Sequence, residues 1–70
     1  MERVKVTSSS ISSVGYEEDE SVLEIEFNRG TVYQYRNIPA ELFRRLMASP
    51  SKGKFFDQNI REKFPTKKIK

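Results

Sequence analysis

The sequence contains no cysteine and no histidine. The first absence excludes disulfides and thiolate metal sites. The second removes the commonest general base and the commonest metal ligand, so the abundant serines have no imidazole to activate them. Paired carboxylates occur only in Glu17-Glu18-Asp19-Glu20 and at Glu24 and Glu26. The first group lacks the Asp-x-Asp-x-Asp-Gly spacing of a calcium loop and reads as a polar hairpin tip. No catalytic residue, metal site or cofactor is expected. No apolar run approaches the length of about 18 residues that a membrane span needs. The opening Met1-Glu2-Arg3-Val4-Lys5-Val6 lacks the apolar region of a signal peptide. A cytoplasmic protein with no membrane contact is expected.

What is present suffices for one domain over residues 1–70, with an ordered core over about 6–64 and a basic tail at 65–70. A chain of this length buries only about 60% of its unfolded surface, so each core aromatic matters. Its composition is 36% hydrophobic, with five Phe and three Tyr. The length leaves little room for a pocket. Charge is unevenly spread: residues 1–38 carry seven acidic and four basic groups, residues 39–70 nine basic and three acidic. That asymmetry suits an anionic partner, and it equally suits two solubilised helices.

A Ser-rich run, Thr7-Ser8-Ser9-Ser10, leads into Ile11-Ser12-Ser13-Val14-Gly15-Tyr16, which reads as a strand. Val4 and Val6 extend or precede it. From Ser21 to Phe27, Leu23, Ile25 and Phe27 alternate against Val22, Glu24 and Glu26, a half-buried strand. Asn28-Arg29-Gly30 fits a three-residue hairpin loop with Gly30 at positive φ. Pairing Phe27 with Thr31 sets Ile25 opposite Tyr33 and Leu23 opposite Tyr35. Both tyrosines then join the apolar face, and the other face is polar and wet.

Pro39 suits the first helical position, with Glu41 favourable to the helix dipole. Leu42, Phe43, Leu46 and Met47 follow as an apolar stripe. Ser49-Pro50 stops that helix, and Ser51 is the expected N-cap of a second, running to about Lys63. Phe56, Ile60 and Phe64 lie four apart on it, and Pro65 ends it. The expected fold is therefore α+β: a three-stranded antiparallel meander with two C-terminal helices packed on one face, in the order β-β-β-α-α. The second helix docks either on the sheet or on the first helix.

These motifs resemble the KTSC domain: Val6-Thr7-Ser8-Ser9, Val14-Gly15-Tyr16, Leu23-Glu24-Ile25-Glu26-Phe27, Gly30, Tyr33-Gln34-Tyr35, Ile38-Pro39, Ser51-Lys52-Gly53-Lys54-Phe55-Phe56 and Ile60. The resemblance runs from about Val6 to Phe64. That domain occurs at the C-terminus of some lysyl-tRNA synthetases and alone in short bacterial proteins. The resemblance implies the fold, and its synthetase context suggests RNA. Phe43, Phe56 and Phe64 stand where many relatives have tyrosine, which keeps packing but removes hydroxyls.

Three surfaces are candidates for binding. Tyr33 and Tyr35 would stack bases if exposed, whereas the register above favours core packing. Ser51, Lys52, Gly53 and Lys54 open a helix whose free N–H groups suit phosphate; a plain serine cap with solvated lysines explains them as well. Arg44, Arg45, Lys52, Lys54, Arg61, Lys63, Lys67 and Lys68 form a basic helical surface able to contact phosphates. The expected function is a monomeric, non-enzymatic module binding RNA through that surface. The competing expectation is a protein-interaction module using a sheet edge or the polar sheet face.

Overall fold

The computed structural model describes residues 1–70. Five strands and two helices follow in the order β1 (Arg3–Lys5), β2 (Ile11–Glu17), β3 (Val22–Phe27), β4 (Val32–Tyr35), α1 (Ala40–Ala48), α2 (Lys52–Asn59) and β5 (Thr66–Lys68). The strands form one sheet in chain order, and every neighbouring pair is antiparallel. The α+β class and the central meander are as expected, but the sheet has five strands, not three. The basic tail at 65–70 contains the fifth strand: β5 returns along β4, pairing Thr66 with Tyr35 and Lys68 with Tyr33. The Val32 and Arg36 amides donate to the Lys70 and Pro65 carbonyls at 3.1 and 2.9 Å. No helix is long and apolar enough to cross a membrane.

The β3–β4 hairpin follows its turn chemistry. Gly30 takes φ +96°, its amide donates to the Phe27 carbonyl, and the Phe27 amide donates to the Thr31 carbonyl. Ile25 opposes Tyr33 and Leu23 opposes Tyr35. On β2 strict alternation would put Ile11 and Val14 on opposite faces. A register shift between Ile11 and Ser13 prevents this: Ile11 pairs with Phe27 and Val14 with Ile25. The extra residue is a β-bulge. Both apolar side chains thereby reach the helix-facing core, and Ser13 turns to the far face to bond Glu26 at 2.8 Å.

Leu46 of α1 and Phe56 of α2 are buried on that core with Ile38 and Ile60. The Phe56 ring meets Phe27 and Tyr35 edge-on at 5.5 and 5.2 Å, so α2 docks on the sheet. Phe43 stacks on Tyr16 at 4.7 Å, and the Tyr16 hydroxyl donates to the Ile38 carbonyl at 2.6 Å. Pro39 is the N-cap of α1, one residue before the expected position. The second helix ends at Asn59, earlier than Lys63. Its last turn closes with the Arg61 amide on the Phe56 carbonyl, and Glu62 at φ +61° reverses the chain toward β5.

The far face of the sheet is less open than its sequence suggests. Arg3, Gly15, Glu24, Gln34 and Lys67 form one row across five strands. Arg3 reaches over Gly15 to Glu24 at 2.5 Å, and Gln34 donates to Glu24 at 2.9 Å. A Cβ on Gly15 would meet Arg3 Cγ and the Glu2 carbonyl at 2.9 Å. Val22 and Val32 on this face are buried.

Candidate nucleic-acid interface

The return of β5 builds a groove that the sequence did not lead us to expect. Phe27, Tyr33, Tyr35 and Phe56 supply its aromatic surface. Tyr33 and Tyr35 stack with centroids 6.4 Å apart, and Phe27 meets Tyr33 edge-on at 5.9 Å. The groove is open, about 810 Å³, and its polar walls come from three places. Asn28, Arg29 and Thr31 belong to the hairpin turn, Asp57, Arg61 and Glu62 to the end of α2, and Thr66 and Lys68 to β5.

Burial separates the two tyrosines. Tyr35 is 5% exposed, and desolvation pushes its hydroxyl pKa up to about 12, with Tyr33 and Asp57 adding to the rise and Arg61 opposing it. Tyr33 is half-buried, so part of its ring remains open to the groove. Core packing therefore describes Tyr35 and only half describes Tyr33.

Serines 9 and 10 close one end. The Ser8 hydroxyl accepts from the Ser10 and Ile11 amides at 3.2 Å, and the Asn28 amide donates to the Ser10 carbonyl at 2.9 Å. A Cβ at Gly53 would overlap the Ser10 Oγ. The first turn of α2 thus lies close against segment 8–10.

The ten residues expected to bind nucleic acid do not make one surface. Arg61 and Lys68 reach the groove. Lys67 pairs with Gln34 and projects from the opposite sheet face. Arg44, Lys54 and Lys63 are exposed elsewhere on the helical half. The Arg45 guanidinium lies 5.7 Å over the Phe55 ring, tying α1 to α2.

The start of α2 is organised differently from expectation. Ser51 occupies the N-cap position but its side chain makes no capping bond. Instead its amide donates to the Ser49 hydroxyl at 3.2 Å. Lys52, half-buried, donates from Nζ to the Ser49 carbonyl at 3.1 Å. Its charge therefore serves the negative C-terminal end of α1 rather than opposing the positive N-terminal end of α2. A bound phosphate is not needed to explain Lys52.

Arg29, Asn28, Thr31, Asp57, Glu62 and Thr66 also line the groove, beyond the residues the sequence motifs single out. The signal for Arg29 was present in its hairpin turn beside Tyr33. The others depend on where β5 and the end of α2 come to rest. Asp57 and Arg61 form an i,i+4 ion pair at 3.3 Å, with side chains 57% and 62% exposed. Such a pair contributes about 0.3–0.5 kcal/mol at most, so a ligand can open it cheaply.

This geometry defines a small α+β domain with an antiparallel sheet, two covering helices and one aromatic groove. The KTSC domain model matches residues 7–64, and the chain belongs to the KTSC family. It is similar to a KTSC domain protein of Yersinia pestis known from its crystal structure, at 43% identity and a TM-score of 0.93, over 99% of this chain and 97% of that one. An uncharacterised protein of Stutzerimonas stutzeri is 40% identical over 83% of this chain and 82% of its own length. A lysine–tRNA ligase of Nostoc punctiforme is 38% identical over 87% of this chain, a match that spans 11% of the ligase.

Proposed function

We propose that the domain is a non-enzymatic RNA-binding module and that the groove, rather than the start of α2, receives the RNA. The observation that carries this is the juxtaposition of a half-buried Tyr33 ring with Arg29, Arg61 and Lys68 along one groove. Aromatic rings on a sheet stack unpaired bases, at about 1–3 kcal/mol per base. Cationic side chains beside them contact the phosphates. A duplex keeps its bases stacked on one another, so the groove suits a single-stranded segment. The occurrence of this domain in a protein named lysine–tRNA ligase supports RNA as the ligand. Catalysis has no activated group to rest on, because the chain lacks histidine and cysteine.

Docking of a partner protein on the sheet is the weaker alternative. On the far face, Glu24 is already engaged by Arg3 and Gln34. The edge strands β1 and β5 have three residues each and carry Lys5, Lys67 and Lys68. Short, charged edges resist strand addition, which also favours a monomer.

An NMR titration with short single-stranded RNA tests the proposal. The expected shifts centre on residues 28–33, 57–62 and 66–68. Shifts confined to residues 51–54, or none at low salt, contradict it.

A further inference from the structure

The groove carries two carboxylates, Asp57 and Glu62, among its cations. A site built only for phosphate would be weakened by both. The fold does not require either. Asp57 has one ion-pair partner, the exposed Arg61, and Glu62 is paired with no cation. Glu62 also sits at φ +61°, a left-handed conformation that glycine would adopt with less strain. An acidic side chain thus stands on the groove wall at a position where backbone preference argues for another residue.

We propose that the groove seats an unstacked nucleobase bearing an exocyclic amino group, and that Asp57 or Glu62 accepts a hydrogen bond from that group. The proposal rests on RNA being the ligand. Cytosine, adenine and guanine each offer an amino donor, whereas uracil presents carbonyl oxygens there. A carboxylate accepts from an amino group and is repelled by a carbonyl oxygen at the same position, which leaves uracil only its N3–H donor, flanked by two carbonyls. Tyr33 provides the stacking surface for either. The Asp57–Arg61 pair then exchanges partners: the carboxylate turns to the base edge and the guanidinium to a neighbouring phosphate.

Oligo(rC) and oligo(rU) test this, because they match in charge and nearly in ring area. Their affinities are measured by fluorescence anisotropy at neutral pH and low salt. The intact chain is expected to bind oligo(rC) about tenfold more tightly. The Asp57→Ala/Glu62→Gly double variant is expected to bind both equally, with oligo(rU) bound more tightly than by the unaltered chain. Both positions are exposed, and glycine suits the backbone at 62, so the variant retains the fold. Equal affinities in the unaltered chain, or a preference that survives in the double variant, overturn the base selectivity and leave RNA binding standing. Failure of both oligomers to bind overturns RNA binding and the selectivity together.

Discussion

Tyr35 is where one desolvated side chain makes stability depend on pH. Desolvation raises its pKa from 10.0 to about 12. Below the unfolded value both states keep the proton and the contribution is intact. As pH rises through this window the unfolded chain ionises first, so stability falls. The loss is at most about 2–3 kcal/mol by the time pH reaches the folded value. Urea unfolding across that window, compared with Tyr35→Phe, isolates the effect, because the variant lacks the hydroxyl and should lose less stability. Gly15 is a second residue with a defined task. An added Cβ would strike Arg3 and the Glu2 carbonyl. Gly15→Ala should therefore cost about 1–3 kcal/mol in chemical denaturation and detach Arg3 from Glu24.

At the scale of elements, β5 decides whether there is a groove, since it supplies Thr66 and Lys68. Amide hydrogen exchange should find Val32 and Arg36 protected in the full chain. Both should become exchangeable in a chain truncated after Phe64, with the β2–β3 amides still protected. Equal exchange at Val32 and Arg36 in both chains would mean that the tail frays. Legibility in the sequence also varied by element. The β3–β4 hairpin could be read from Asn28-Arg29-Gly30 and the alternation around it, and with it the partners of both tyrosines. The bulge in β2 could not, because Ile11 and Val14 are three apart and match no simple strand period. β1 and β5 are three residues long and bear lysines, so they carry almost no alternation and depend on distant partners. The groove is not legible for the same reason: two of its walls come from β5 and the end of α2, brought to the tyrosines only by tertiary pairing.

For the whole molecule, folding rearranges the charge division written along the chain. The acidic half builds most of the sheet, yet the basic end returns to it as an edge strand and places Lys68 beside Tyr33. Charge and aromatic surface meet there, within a body only 28 × 25 × 23 Å across. Three phosphate contacts, from Arg29, Arg61 and Lys68, would give a salt dependence of about −2 in log affinity against log salt. Arg61→Ala should lower that slope by about 0.7. Arg44→Ala, on α1 and outside the groove lining, should leave it unchanged.

The most direct measurement is the affinity of a short single-stranded RNA for the intact chain, Tyr33→Ala and Tyr33→Phe. Stacking at the groove predicts that Tyr33→Ala weakens binding by about 1–2 kcal/mol while Tyr33→Phe binds almost as the intact chain does. Equal binding by all three would contradict recognition at the groove.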